Sequence, residues 1–344
     1  MRQVSPKLAP WLLEVHSRMA AMKAAGYKPT AIGAREALAN TVRALLTDSP
    51  DIAWVNDELI HGRDYSVPVR IYHPAPAEAR SVIVFYHGGG GMAGSVSIYD
   101  PISRKLAAAT GHIVVSVEYR LAPENPYPAG VIDACTAARG VWDALERRLL
   151  PHARQLSLAG DSAGGALAST VSGRAQFDPS LEIANQILIY PSLDYTLRLP
   201  SIVENGDNYF LTSERLFWYF DNYLQHAEDR YSASPLFQEI TPALPRTLIV
   251  SAEFDPLRDE AFAYVRRLKE TGISHQHVHL ADMVHAFLFM ESLVKEECDL
   301  LYRTIADFLS RPDEVPDKPY PHLQTGALPQ AEHSARPREN RDRA

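Results

Sequence analysis

The stretch that decides the fold is "LAGDSAGGALAS", residues 158–169, in which an apolar run breaks into small residues and then turns helical. Gly160, Ser162 and Gly164 form G-x-S-x-G, the strand-to-helix elbow that exposes a serine hydroxyl on a strained turn. The flanking glycines let strand and helix approach where a Cβ would collide. A chain of 344 residues shows this pattern by chance roughly one time in ten, so the surroundings must carry the reading.

Working outward, β-rich runs alternate with helical stretches. "IAWVNDELI" (52–60) and "VPVRIYHP" (67–74) predict a leading pair of strands; "SVIVFYH", "HIVVSVEY", "QLSLAG", "QILIYP", "RTLIVSAE" and "HQHVHL" predict six more. Amphipathic stretches near 129–149, 163–176, 258–271 and 291–310 separate several of them. Strands joined by helices imply an α/β protein with a mostly parallel central sheet, flanked by helices, whose site lies at the carboxyl ends of the strands. Upstream, Leu8, Trp11, Leu12, Val15, Met19 and Met22 recur at helical spacing and predict an amphipathic helix laid on an apolar surface. Glu14, Arg18 and Lys23 exclude a signal-peptide core or membrane span there.

Composition narrows the function. A formal net charge of −8 excludes a general nucleic-acid-binding surface. Two cysteines, Cys135 and Cys298, do not build a disulfide framework, and they fit a reducing compartment, the cytoplasm. The Pro- and charge-rich segment 312–344 reads as a disordered tail.

A serine hydroxyl needs a base, and the base an orienting acid; in elbow enzymes the chain order is Ser, Asp, His. After Ser162, Asp255 follows an apolar strand and His285 follows the last one. Asp255 also reads as a helix cap, since "DPLRDE" places Pro at a helix start. Asp259 falls inside that helix, and Asp282 lies only three residues before His285. The alternating histidines of "HQHVH" (275–279) have a spacing that can ligate zinc, but no partner completes the set, and a solvated edge-strand face is the better reading. The four glycines of "FYHGGGGMAGS" (85–95) then acquire a purpose. Attack on an ester carbonyl creates an oxyanion, for which Gly89, Gly90 and Ala163 supply backbone N–H donors.

With those residues in place, the chain resembles the hormone-sensitive-lipase-like α/β-hydrolases, the bacterial family IV esterases. The matching pieces, in order, are "HGGG" (87–90), "EYRLAPENPYPA" (118–129), "GDSAGG" (160–165), "YPSLD" (190–194), "YFLT" (209–212) and "EFDPLRDE" (253–260), with His285 after them. The resemblance spans about residues 50–310. It implies an α/β-hydrolase fold and a serine carboxylesterase for short- to medium-chain acyl esters, working through an acyl-enzyme with no cofactor or metal. It also implies a catalytic domain over 51–311 and a helical cap formed by residues 1–50 and an insertion near 195–230. "SERLFWYFDNYL" in that insertion carries Leu216, Phe217, Phe220 and Leu224 at helical spacing. The partner is a small-molecule ester, with a homodimer as the family's common assembly. Amidase, lactonase or deacetylase chemistry would use the same machinery. A retired scaffold acting as a receptor, like the related plant gibberellin receptors, is disfavoured because serine and histidine both remain. Two positions depart from the pattern. Gly91 stands where relatives are often bulky and is expected to widen the pocket; Ala286 stands where glycine usually follows the histidine and is expected to carry strain if φ is positive there.

Overall fold

A computed structural model describes residues 2–311, so the expected tail at 312–344 lies outside the described residues. Among these residues eight strands form one sheet: β1 (Trp54–His61), β2 (Ser66–His73), β3 (Arg80–Tyr86), β4 (Ile113–Val117), β5 (His152–Asp161), β6 (Asn185–Ile189), β7 (Arg246–Phe254) and β8 (His275–Val284). Their spatial order is β1-β2-β4-β3-β5-β6-β7-β8. β2 pairs antiparallel with both β1 and β4, and every pairing from β4 through β8 is parallel. The eight β-rich runs of the sequence fall on these eight strands.

Among the described residues ten helices accompany them: α1 (Ala9–Ala24), α2 (Ala31–Leu45), α3 (Asp100–Thr110), α4 (Ala129–Arg147), α5 (Ala163–Ala175), α6 (Ser201–Glu204), α7 (Ser213–Tyr223), α8 (Arg230–Ala233), α9 (Arg258–Thr271) and α10 (Lys295–Ser310). The central strands alternate between two cores. Val82, Val84 and Tyr86 pack on the face covered by α4, α5 and α9, while Ile83 and Phe85 pack on the face covered by α3 and α10. Burial on both sides explains why these strands read as unbroken apolar runs. A third cluster gathers Tyr195, Leu211, Leu216, Phe220 and Tyr223 from the segment between β6 and β7 against Met92 and Ala122. Among the described residues no helix is long and apolar enough to cross a membrane.

The expected seating of α1 holds for its start only. Leu8 and Leu12 enter the second core, whereas Val15, Met19 and Met22 turn toward an open cavity. The elbow glycines are sterically required. A Cβ on Gly164 would overlap the Tyr86 carbonyl, and one on Gly160 the carbonyl of Gly164.

Candidate active site

Ser162 sits where β5 turns into α5, with φ 53° and ψ −118°. A non-glycine residue there carries strain of order 1–3 kcal/mol and persists only where its surroundings fix it. They do: Ser162 N–H donates to the Ile189 carbonyl (2.8 Å), and its own carbonyl accepts from Ser192 N–H (3.1 Å). The hydroxyl Oγ lies 3.0 Å from His285 Nε2, and His285 Nδ1 lies 2.7 Å from Asp255 Oδ2. Both partners are buried, at 5 % and 1 % exposure. With Nδ1–H donating to the carboxylate, the lone pair on Nε2 faces the serine hydroxyl.

Asp255 is also the helix-start residue that its sequence suggests, because Oδ1 accepts the Leu257 N–H at 2.8 Å. Its two readings are therefore compatible, one per carboxylate oxygen. The rivals are elsewhere. Asp259 accepts from Ser201 N–H (2.9 Å) and pairs with Arg258. The backbone carbonyl of Asp282 accepts from Ser5 N–H (2.9 Å), and burial holds its carboxyl above the usual range.

The glycine loop follows β3. Gly89 (φ 114°) and Gly90 (φ 67°) adopt conformations that disfavour any side chain. Their N–H groups and that of Ala163 have no hydrogen-bond partner among the described residues, while the Gly89 carbonyl accepts from Met92 and Ala93. The loop is tied to the elbow by Asp161, whose Oδ1 accepts from Gly88 N–H (2.8 Å) and whose Oδ2 accepts from Tyr99 O–H (3.0 Å). Complete burial lifts the Asp161 carboxyl to about 6. Arg35 of α2 ties the loop from outside, donating to the carbonyls of Met92 (2.8 Å) and Ala122 (3.0 Å) and forking onto Glu124. A cavity of about 1520 Å³ opens over Ser162, with Trp11, Met19, Phe210, Tyr219 and Phe289 among its walls.

The family described as alpha/beta hydrolase fold matches residues 83–289. Ethyl acetate hydrolase of Pseudomonas putida is 33% identical over 72% of this chain and 80% of its own length. Carboxylesterase NlhH of Mycobacterium tuberculosis is 34% identical over 70% of this chain and 77% of its own. The chain belongs to the alpha/beta-hydrolase fold family. Within it, the protein is a carboxylic ester hydrolase of the hormone-sensitive-lipase-like branch. A solved esterase of Pyrobaculum calidifontis superposes with a TM-score of 0.77 at 32% identity, covering 88% of this chain and 97% of that one.

In this hydrolase two expectations from the sequence are corrected. Gly91 does not widen the pocket: a Cβ there would come within 2.9 Å of the Tyr223 ring, so an aromatic side chain from α7 already fills the space. Nor is the histidine face of β8 simply solvated. His277 Nε2 and His279 Nδ1 both bond to Ser251 Oγ (2.8 and 2.9 Å), His279 Nε2 meets Glu253 (2.8 Å), and Phe262 of α9 packs over both rings. Burial pushes His277 down to about 3. Among the described residues no group of three or more metal-ligating side chains is placed to hold an ion. Ala286 does adopt the left-handed conformation, φ 62°, and carries strain of order 1 kcal/mol.

Two residues that touch the site escaped the sequence reading. Arg35 and Asn205 reach catalytic loops far away in the chain, and neither belongs to a spacing pattern that announces it.

Proposed function

We propose that the hydrolase cleaves short- to medium-chain acyl esters with Ser162 as nucleophile, His285 as general base and acid, and Asp255 as the orienting carboxylate. The observation that carries this is the unbroken path Ser162 Oγ to His285 to Asp255, at 3.0 and 2.7 Å, with Ser162 and His285 lining the cavity. His285 Nε2 takes the serine proton as Oγ bonds to the carbonyl carbon, and the carbonyl oxygen becomes an anion facing the N–H groups of Gly89, Gly90 and Ala163. The C–O bond to the alcohol then breaks, with His285 returning the proton to the leaving oxygen. Water repeats both steps on the acyl-enzyme and frees the acid. Intact, mutually bonded Ser, His and Asp side chains favour an enzyme over a receptor.

Residues 2–50 and the insertion near 195–230 act as a cap over a catalytic body that runs to residue 311. In support, α1, α2 and α7 all contribute walls to the cavity. The free, buried thiols of Cys135 and Cys298 suit the cytoplasm. The cavity exceeds what a hexanoyl chain needs, so chain-length preference is set by where its apolar walls give way to a charged rim of Glu14, Arg18, Lys23 and Glu214. Each buried methylene contributes about 0.8 kcal/mol until that rim is reached. Hydrolysis of a p-nitrophenyl ester series tests the reading. The expected kcat/KM rises from acetyl to about butyryl or hexanoyl and falls by dodecanoyl. A rise through dodecanoyl would sink the chain-length reading, and no turnover of any member would sink the enzyme.

A further inference from the structure

We propose that Asn205 is a positioning residue for the catalytic acid, and that α6 is the clamp through which the inserted segment holds the Asp255 loop in register. This rests on Asp255 being the acid, as argued above. Asn205 follows α6 and is 1 % exposed. Its carboxamide is fully engaged: Nδ2 donates to the carbonyls of Glu253 (2.9 Å) and Asp255 (3.0 Å), and Oδ1 accepts from Arg2 Nη2 (2.9 Å). Those two carbonyls bracket the point where β7 ends at Phe254 and the sheet no longer fixes the chain.

The rest of α6 grips the same loop. Ser201 Oγ donates to the Pro256 carbonyl (2.7 Å), and Glu204 pairs with Arg258 at 2.8 Å. A four-residue helix has little stability of its own, and here its polar groups are turned onto residues 253–258. One side of Asp255 is thus set by Leu257 N–H on a carboxylate oxygen and the other by Asn205 on its backbone carbonyl. Arg2, which also pairs with Glu253, fixes the outer end of the carboxamide. The seating of the inserted segment over the cavity and the aim of the acid are therefore one mechanical unit.

The chemical consequence is specific. Asp255 must meet His285 Nδ1 at hydrogen-bond distance to stabilise the imidazolium, and a misplacement of about 1 Å can cost 10²-fold in rate. Asn205→Asp keeps the shape but replaces the donor with an acceptor, leaving both carbonyls without their partner. Asn205→Ala removes the group without adding charge.

Each variant is assayed on p-nitrophenyl butyrate, with active sites counted by a stoichiometric phosphonate, beside Asp255→Asn and the double variant. The expected result is a kcat per titrated site lower by about 10- to 100-fold with KM within about twofold. In the Asp255→Asn background Asn205→Ala costs nothing further. A purely structural role would lower Tm and the number of active sites while leaving kcat per site at the wild-type value, and that outcome overturns the proposal. Full activity of Asp255→Asn would overturn the acid assignment itself, which separates the two failures.

Discussion

Asp255→Asn is the sharpest test of the proposed triad, because the structure dictates how an asparagine must sit. Asp255 Oδ1 accepts the Leu257 N–H at 2.8 Å, so the amide oxygen of an asparagine stays there and its NH₂ takes the place of Oδ2, 2.7 Å from His285 Nδ1. Two donors would then face each other unless Nδ1 gives up its proton. The ring proton moves to Nε2, where it points at Ser162 Oγ 3.0 Å away, and the lone pair needed to accept the serine proton is gone. The lost attraction between carboxylate and imidazolium alone is about 4 kcal/mol at 4 Å and an effective dielectric of 20. Adding the wrong tautomer brings the penalty to about 5.5 kcal/mol, or about 10⁴ in kcat. Asp259→Asn is the comparison. It weakens one of several contacts of Arg258, which keeps Glu204 and Glu253, and removes a helix-end charge interaction worth about 0.3–1 kcal/mol. Its kcat should stay within about fivefold of wild type. The measurement is kcat on p-nitrophenyl butyrate per titrated active site at neutral pH. The reasoning is refuted if Asp255→Asn keeps turnover within about tenfold of wild type, or if Asp259→Asn is the variant that collapses.

Ser162→Ala should lose about 10⁶ in kcat while unfolding at or near the wild-type temperature; residual turnover close to wild type would mean the elbow is not the nucleophile. His277 is held at about 3, below its ordinary 6.5, so its contribution to stability is present above pH 6.5 and is lost as pH falls toward 3, where only the unfolded chain binds the proton readily. His277→Gln should therefore flatten the pH dependence of urea stability by up to about 1.4 kcal/mol per pH unit between roughly pH 6 and 4, and an unchanged slope would show that His277 is not the group responsible. Gly91→Ala should cost more than Gly26→Ala in Tm and also raise KM, because both positions have positive φ but only Gly91 would press a Cβ against a ring, that of Tyr223; equal losses would leave packing without a role.

The parts of the fold that were legible in the sequence are those whose chemistry is local. Val82 to Tyr86 and Ile113 to Val117 read as strands because burial on both faces demands an unbroken apolar run. Ser162, Asp255 and His285 could be named because each stands just past a strand end, where a parallel sheet places its site. By contrast α3, "DPISRKLAAAT", escaped because alanines and a buried Ser103 dilute its apolar stripe; Pro101 near its start and the left-handed Gly111 after its end were the available signals. α6 is only four residues long and has no periodicity to show. Asn205 and Arg35 were invisible for another reason. The backbone carbonyls they bond lie 48 to 87 residues away, and a carbonyl leaves no trace in a sequence.

That same blindness changes how the cavity should be probed. Deleting residues 1–30 looks from the sequence like a clean removal of one cavity wall. In the structure it also removes Arg2 from Asn205 and Glu253, Ser5 from the carbonyl of Asp282 three residues before His285, and Leu8 from the core that holds Phe287. Any loss of rate would then mix pocket and chemistry. The separable part of α1 is the stretch after Leu12, whose Val15, Met19 and Met22 line the cavity, with Met19 44 % exposed. Replacing these three by serine should leave kcat on the acetyl ester near wild type, since an acetyl group has no methylene to bury against them. It should erase the advantage of longer chains, which at about 0.8 kcal/mol per methylene is about 15-fold between acetyl and butyryl at full burial. A triple variant that keeps the wild-type acyl profile would show that α1 does not border the acyl chain. One that loses acetyl turnover as well would show that the wall and the catalytic loops cannot be separated even here.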